Sequence, residues 1–272
     1  MEYKHWDDIC VACGAPAPEG QMLCGTCQRQ AYPELHPDYN TQLLAALVSE
    51  PAPGKAKILM PYDHDREYFI ESLGPLPSKP VYSCCKRICD ILLSVCGLLV
   101  LLLPMLLIAV LVKSTSPGPT FYRQERLGQD GKAFWLIKYR TMRVDAEADG
   151  AQWSRGDDDP RITKLGRLLR KTRLDELPQL WCIFTGKMTL VGPRPERAVF
   201  YDAFETYIHG FRERLKVKPG LTGLAQVCGG YDLKPEEKIV YDVEYIKHRS
   251  LRMDLKILLK TVQVVFTHQG AK

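Results

Sequence analysis

The stretch that decides the fold is Arg161-Ile-Thr-Lys-Leu-Gly-Arg-Leu-Leu-Arg-Lys-Thr-Arg-Leu-Asp-Glu-Leu-Pro178. Its apolar residues recur at the spacing of one helix face and its cations occupy the other side, so the pattern predicts one amphipathic helix that ends at the proline. A basic amphipathic helix of this kind suits an anionic membrane surface, with its apolar side down.

The pair Asp175-Glu176 near the end of this helix is the candidate reactive centre. On a helical wheel Glu176 falls on the apolar side and Asp175 at its border, where ionised acids are costly unless something pairs with them. Two interpretations are open from this geometry. Either the helix frays and both acids are solvated, pairing with Arg170 and Lys171, or they are held there for chemistry.

Two downstream turns favour chemistry on an anionic substrate. Gly192-Pro-Arg-Pro195 would hold the Arg194 guanidinium on a rigid turn, a geometry suited to bidentate contact with a phosphate. Lys218-Pro-Gly-Leu-Thr-Gly-Leu-Ala-Gln226 is a glycine-rich turn that could bring backbone amides and a cation near a phosphate.

The charge is distributed unevenly along the chain. Residues 1–83 hold 6 Lys and Arg against 11 Asp and Glu, a balance of −5, and the remainder holds 31 against 21, a balance of +10, which together give the net +5. The basic part also carries the long apolar segment, so a membrane surface or a phosphorylated ligand is favoured over nucleic acid. The sequence has no nucleic-acid-binding signature.

Four cysteines near the N-terminus form two Cys-x-x-Cys pairs, Cys10 with Cys13 and Cys24 with Cys27. Two such pairs can close on one tetrahedral Zn²⁺, and a redox pair or disulfides are the alternative. The spacing predicts a structural zinc-ribbon-like module with a short helix over residues 1–50. A proline-rich linker follows over residues 51–83.

Residues 84–113 form the predicted membrane segment, in which 22 consecutive residues, Ile91–Val112, carry no charge. As a helix this run is long enough to cross a hydrocarbon core. Basic residues lie on both flanks, and Pro104 interrupts the middle. A re-entrant hairpin satisfies both features, and a spanning helix and a buried helix of a soluble fold are the alternatives that the residues alone leave open.

Further along, Phe121–Leu127 and Lys132–Lys138 flank an Asp-Gly turn and predict a β-hairpin. Lys138 and Arg140 are expected to be exposed at its end, either as a solvated strand end or as phosphate ligands. The acidic run 157–159 is expected to be a solvated loop or a helix N-terminal cluster.

The C-terminal part predicts two helices, with a core or interface stripe on the second. That stripe consists of Leu251, Leu255, Leu258, Val262 and Phe266.

Seven motifs in this order make the chain resemble the bacterial sugar transferase family, the monotopic polyprenyl-phosphate phosphoglycosyl transferases. The resemblance covers roughly residues 86–266. Besides the basic-apolar start, it rests on Arg123-Gln-x-Arg-x-Gly128, Lys138-x-Arg-Thr-Met142, Asp159-Pro-Arg-Ile-Thr163, Leu174-Asp-Glu-Leu-Pro-Gln-Leu180, Val191-Gly-Pro-Arg-Pro195 and Pro219-Gly-Leu-Thr-Gly-Leu-Ala-Gln226.

The resemblance implies a covalent reaction. Asp175 would attack the β-phosphate of a UDP-sugar and release UMP, and polyprenyl phosphate would then take the phosphosugar from the aspartyl enzyme. A Mg²⁺ ion would contact Asp175, and Glu176 would assist as a metal-site or acid–base partner. Phosphate or nucleotide ligands would come from Arg194, Arg170, Lys138, Arg140, Lys218 and Gln226.

The same resemblance implies a mostly helical α+β fold. Its catalytic domain, residues 114–272, would be monotopic on the cytoplasmic face of the bacterial inner membrane, with a re-entrant hairpin bent at Pro104, a β-hairpin and interfacial amphipathic helices. Downstream glycosyltransferases would be its partners. The alternative is a catalytically inactive, membrane-anchored zinc-ribbon adaptor of a glycan assembly complex.

Overall fold

A computed structural model describes residues 67–147, 159–228 and 233–267. The predicted zinc ligands Cys10, Cys13, Cys24 and Cys27 lie outside these ranges, as does most of the predicted linker. The zinc module and the proposed domain boundaries therefore stay predictions.

The described residues form a mostly helical α+β structure with three small two-stranded sheets, which confirms the predicted class. The helices are α1 (Pro80–Val100), α2 (Leu102–Thr115), α3 (Lys164–Lys171), α4 (Gln179–Phe184), α5 (Ala198–Glu205), α6 (Leu224–Cys228), α7 (Pro235–His248) and α8 (Leu251–Thr267). The strands are β1 (Tyr68–Phe69), β2 (Phe121–Leu127), β3 (Ala133–Tyr139), β4 (Thr189–Val191), β5 (Ile208–His209) and β6 (Gly220–Thr222).

Helices α1 and α2 form a bent pair with a break at Leu101 and an angle of 62° between them. Pro104 explains the position of the break, since it has no N–H for the carbonyl of Val100 and its ring crowds that carbonyl. Within the described ranges, no single helix is long and apolar enough to cross a membrane, whereas this bent pair passes the test as a unit.

The bent pair presents a large apolar surface to its surroundings. Among its exposed side chains are Leu92, Leu99, Leu103, Leu107 and Val110. Exposed apolar side chains in such number mark a surface that interacts with a membrane or a partner.

The first turns of α1 are fixed to the rest of the fold by charged side chains. Arg87 donates to the carbonyl oxygens of Ile183 and Phe184 at the end of α4, at 2.7 Å each. The buried carboxylate of Asp90 accepts from the Thr189 hydroxyl at 2.7 Å and from the Leu190 N–H at 2.9 Å. These contacts dock α1 onto α4 and β4.

The predicted β-hairpin is confirmed, because β2 and β3 pair antiparallel from Phe121 opposite Tyr139 to Leu127 opposite Ala133. Its turn has Asp130 and Gly131 in the left-handed region, at φ 56° and 72°. Asp and Gly tolerate that region best, which is why this dipeptide marks the turn.

The prediction of one continuous helix up to Pro178 was wrong. Helix α3 ends at Lys171, Arg173 turns the chain with φ 58°, and Leu174–Glu176 form a separate 3₁₀ turn. A non-glycine residue in the left-handed region costs roughly 1 kcal/mol and persists where the surroundings impose it. Here the break turns both acids into the protein interior.

The prediction of a solvated acidic loop over residues 157–159 was also wrong for Asp159, the one of the three that lies within the described ranges. Asp159 is fully buried, and its two oxygens receive the Arg161 guanidinium at 2.8 and 2.6 Å. A buried carboxylate needs such a bidentate partner, so this acid has a structural role.

The predicted core or interface stripe on the last helix is core at one of its described positions. Leu258 packs against the core, whereas Leu251, Leu255 and Val262 are exposed. The buried residues of α8 are Met253 and Ile257 on the opposite side, together with Val264. Leu251, Leu255 and Val262 therefore give α8 an exposed apolar face.

Candidate functional site

Asp175 and Glu176 are both buried, at 5% and 8% relative exposure, in the 3₁₀ turn between α3 and α4. The interpretation of two solvated acids at a frayed helix end was therefore wrong. Burying two adjacent carboxylates is costly unless cations compensate them. Their neighbourhood supplies those cations.

Arg194 pairs directly with Glu176. Its Nη2 contacts Oε1 closely, and its Nη1 lies 3.4 Å from Oε2. Burial would raise the pKa of Glu176, but the charge and hydrogen bonds of Arg194 outweigh it and leave that pKa below its ordinary value. Glu176 is thus held ionised and oriented.

Asp175 has the opposite electrostatic environment. Burial in the first place, and the negative charge of Glu176 in the second, raise the pKa of Asp175 to about 6, against the opposing charges of Lys138, Arg170 and Arg194. A carboxylate that is poorly solvated but still ionised at neutral pH is a good candidate nucleophile.

Lys138 lies at the end of β3, close enough for its charge to act on Asp175. Its ammonium is 5.6 Å from the ring centroid of Tyr122 on the paired strand. Burial lowers the pKa of Lys138 to about 8 despite the attraction of Asp175. Lys138, Arg170 and Arg194 thus surround Asp175 with positive charge.

Arg140, two residues along, is not an exposed phosphate ligand. It is buried, and its guanidinium donates to the carbonyl oxygens of Pro117 and Ser116 at 2.7 and 2.8 Å. These carbonyls follow the end of α2, so Arg140 ties the bent pair to the hairpin. The prediction of two exposed cations here was wrong for this residue.

Lys218 and Gln226 also lie apart from the acid pair. Lys218 is exposed on the side of α1, where Arg87 and Asp90 are its charged neighbours. The Gln226 side-chain amide donates to the carbonyl oxygen of Leu221 in its own turn, at 2.9 Å. Neither contact places these side chains beside Asp175.

The glycine-rich turn supports the arginine turn through close backbone packing. The Gly220 N–H donates to the carbonyl oxygen of Pro193, and the Gly192 N–H donates to that of Thr222, both at 2.9 Å. A Cβ on Gly220 would stand 2.1 Å from the Gly192 nitrogen. The Gly220 amide is occupied, so the expectation that the amides of the glycine-rich turn would face a phosphate was wrong for this one.

Two buried arginines that sequence reasoning did not place in the site hold the Arg194 turn. Arg126 on β2 donates to the carbonyl oxygen of Pro195 at 3.2 Å and to Glu196 at 2.8 Å. Arg214 donates to the carbonyl oxygen of Arg194 at 3.0 Å.

Arg214 in turn pairs with Asp242 on α7 at 2.6 Å, with both side chains 2% exposed. Arg126 at least stood in a recognised motif. The pairing of Arg214 with Asp242 had no sequence signal, because the two residues meet only through tertiary packing.

The ligands available at the site, the carboxylates of Asp175 and Glu176, determine how it could hold a metal ion. Within residues 67–147, 159–228 and 233–267, no group of three or more His, Cys, Asp and Glu side chains is placed to hold a metal ion. Mg²⁺ commonly binds through one or two carboxylates together with substrate phosphates and water. The adjacent carboxylates of Asp175 and Glu176 fit that mode.

Residues 81–268 match the family model described as bacterial sugar transferase. The chain is 40% identical over 228 residues to a UDP-N-acetylgalactosamine-undecaprenyl-phosphate N-acetylgalactosaminephosphotransferase of Aeromonas hydrophila, a match that covers 83% of this chain and 52% of that protein. It is 42% identical over 205 residues to a UDP-glucose:undecaprenyl-phosphate glucose-1-phosphate transferase of Caulobacter vibrioides, covering 73% and 75% of the two chains.

A third relative, a UDP-glucose:undecaprenyl-phosphate glucose-1-phosphate transferase of Escherichia coli, is 38% identical over 215 residues, covering 74% of this chain and 46% of that protein. The chain thus spans about half the length of the Aeromonas and Escherichia relatives. The family match and these identities agree, and the chain belongs to the bacterial sugar transferase family.

Proposed function

We propose that this chain transfers a sugar-1-phosphate from a UDP-sugar to polyprenyl phosphate, with Asp175 as the nucleophile. The observation that carries the proposal is the state of Asp175, a buried carboxylate with a pKa raised to about 6 and with three cations around it. The relatives named above act on UDP-sugars and undecaprenyl phosphate, which supports the same substrate classes here. Because Asp175, Glu176 and Arg194 are all present and lie together, an inactive adaptor is the less favoured alternative.

The reaction has two balanced steps. A carboxylate oxygen of Asp175 bonds to the β-phosphorus of the UDP-sugar while the bond from that phosphorus to the bridging oxygen breaks, and UMP leaves with the electron pair. A phosphate oxygen of polyprenyl phosphate then bonds to the same phosphorus, and the bond to Asp175 breaks. The product is a polyprenyl-diphosphate-sugar, a substrate for downstream glycosyltransferases.

The surrounding cations have distinct roles in these steps. Lys138 and Arg170 offset the charge of the incoming diphosphate, which would otherwise repel Asp175. Arg194 holds Glu176 from a rigid turn, which puts its positive charge close to where a phosphate must lie for attack by Asp175.

Two metals belong to the proposal. Asp175 and Glu176 would hold Mg²⁺ together with the substrate diphosphate, and the ion would supply charge neutralisation and polarise the phosphoryl group.

Cys10, Cys13, Cys24 and Cys27 would hold one structural Zn²⁺. Metal analysis of the full chain and of a Cys10→Ser, Cys24→Ser variant tests the second site, with loss of one zinc per chain expected.

The bent helix pair supports a monotopic placement at the cytoplasmic face of the inner membrane, with α1 and α2 as a re-entrant hairpin. Its exposed leucines, the apolar face of α8 and the exposed side chains of Leu168 and Trp181 give the molecule apolar surface to place in a bilayer. A reaction between a water-soluble nucleotide sugar and a lipid phosphate requires a site at this boundary.

The test is UMP release by the full chain in lipid nanodiscs with Mg²⁺, undecaprenyl phosphate and a panel of UDP-sugars. Release of more than one UMP per chain from at least one sugar, dependent on both the lipid and Mg²⁺, is the expected result. No release from any member of the panel by folded protein would contradict the proposal.

A further inference from the structure

A buried hydrogen-bond network joins the bent helix pair to the turn that carries Arg194. The ammonium of Lys86 on α1 lies 2.9 Å from the carbonyl oxygen of Val191 and 2.8 Å from the carboxylate of Asp254 on α8. The hydroxyl of Tyr245 on α7 lies 3.0 Å from the same carbonyl oxygen and 2.8 Å from Asp254. Two helices thus contact one backbone oxygen directly, and α8 is joined to both of them through Asp254.

The position of the Val191 carbonyl oxygen affects the turn that carries Arg194. Val191 is the last residue of β4 and stands three residues before Arg194. The Gly192 N–H is already bonded to β6, so the chain leaves the sheet from a point fixed on both sides. A shift of the Val191 carbonyl would therefore move the arginine turn as a whole.

The network is closed and shielded from water. Asp254 accepts from Lys86, and the single hydroxyl hydrogen of Tyr245 goes either to Asp254 or to the Val191 carbonyl oxygen, so one carboxylate lies against both groups that contact Val191. The Lys86 and Asp254 side chains are 16% and 9% exposed, and Tyr245 is 2% exposed. Charge-assisted bonds in such a setting are short and directional, which suits a positioning role.

The same turns of α1 also contact α4, the helix that follows Asp175 and Glu176. Arg87, adjacent to Lys86, holds the carbonyl oxygens at the end of α4, and the start of α4 follows directly after the acid pair. One segment of α1 therefore contacts both α4, which follows the turn that carries Asp175, and the end of β4, which leads to Arg194.

We propose that Lys86 and Tyr245 are positioning residues for Arg194, which act through the carbonyl of Val191 and set where the guanidinium stands relative to Asp175 and the diphosphate. The basic start of the membrane segment then has a second role beside its charge, since it fixes the geometry of the nucleotide-sugar site. This inference rests on the proposed function. A misplacement of the order of 1 Å can cost as much as about 100-fold in rate, so such a role has measurable consequences.

A matched pair of tyrosine variants tests the inference without removing a charge. Tyr245→Phe removes the hydroxyl that contacts Val191. Tyr82→Phe removes a hydroxyl that contacts Asp254 at 3.0 Å and the Tyr245 hydroxyl at 3.3 Å, and that acts on Val191 only through them. With UDP and Mg²⁺ as the probe and the full chain in nanodiscs, we expect Tyr245→Phe to raise the Kd about 10-fold and Tyr82→Phe to change it less than about twofold.

A double-mutant cycle separates positioning from general stability. Lys86→Met should weaken UDP binding in the wild-type background and add little in an Arg194→Met background, because both changes act through the same guanidinium. Lys113→Met is the control for the loss of a positive charge at a flank of the membrane segment. Lys113 donates to the Gly118 carbonyl oxygen, which is outside the network at Val191. Lys113→Met should leave the Kd unchanged.

The outcomes also distinguish this inference from the proposed function. Equal effects of the two tyrosine variants, or additive losses in the cycle, would overturn the positioning role even if the wild type turns over UDP-sugars normally. A wild type that binds UDP but releases no UMP from any UDP-sugar would instead overturn the proposed function. If Lys86→Met does not fold, the tyrosine pair decides alone.

Discussion

Arg194 is paired with Glu176 and not with the neighbouring Asp175, although both acids lie in one 3₁₀ turn. The pairing separates two adjacent carboxylates electrostatically. It lowers the pKa of Glu176 and leaves Asp175 with a pKa raised to about 6 by burial and by the charge of its neighbour. Of the two acids, Asp175 is therefore the one suited to attack phosphorus.

Glu176→Gln should lower the pKa of Asp175. The substitution removes the negative charge that raises this pKa and frees Arg194 to act on Asp175. Because Asp175 reacts as the carboxylate, kcat/KM for the UDP-sugar should rise with pH through about 6 in the wild type. In the variant the residual activity should reach its plateau at lower pH. An acid limb that stays in place or moves upward would contradict the assignment.

Lys138 should determine the alkaline limb of the same profile. Its pKa, lowered by burial to about 8, means that the ammonium loses its charge above that pH and no longer offsets the charge of the diphosphate. Lys138→Arg, which stays charged, should therefore flatten the fall above pH 8 while it keeps the acid limb. An unchanged alkaline limb would show that another group controls it.

Arg140→Met should destabilise the fold with little effect on KM for the UDP-sugar. The change removes three hydrogen bonds of a buried charged group that ties the end of α2 to the hairpin, at a cost of about 3 kcal/mol. Thermal unfolding in nanodiscs and steady-state kinetics below the transition measure the two effects. Lys138→Met, two residues away, should show the reverse pattern, with weaker substrate binding and a nearly unchanged Tm.

Pro104→Ala should straighten the bent helix pair. The alanine N–H restores the partner that the Val100 carbonyl lacks, so α1 and α2 can continue as one helix long enough to span. Alkaline phosphatase and green fluorescent protein fusions after residue 116 report the side of the membrane. The wild type should give fluorescence and no phosphatase activity, whereas the variant should gain phosphatase activity.

The hairpin and the bend near Pro104 could be predicted because each depends on a local pattern, whereas the fold class was implied by the family resemblance. Alternation and an Asp-Gly turn define β2 and β3, and an uncharged run with a proline defines α1 and α2. The break at Arg173 could not be predicted in this way. The local pattern favours a continuous helix, and only the burial of Asp175 and Glu176 in the folded chain opposes it.

The residues at the centre of the predicted site lie together in the structure, and the residues that support them were not predicted. Asp175, Glu176 and Arg194 stand in motifs, and the structure brings Lys138 and Arg170 to them. Arg140 was wrongly predicted to be an exposed cation. The sequence pattern of a cation at a strand end is the same whether its side chain contacts a phosphate or backbone carbonyl oxygens. The contacts of Arg214 and Lys86 join residues that are distant in sequence, so no local spacing could reveal them.

The most direct test of the account is the intact mass of the full chain after incubation with a reactive UDP-sugar and Mg²⁺ in the absence of polyprenyl phosphate. The account predicts a mass increase of one phosphosugar, carried by the peptide that contains Asp175. The adduct should be lost on addition of undecaprenyl phosphate and should be missing in Asp175→Asn. Turnover without any adduct, or sugar transfer that survives in Asp175→Asn, would contradict the covalent role of Asp175.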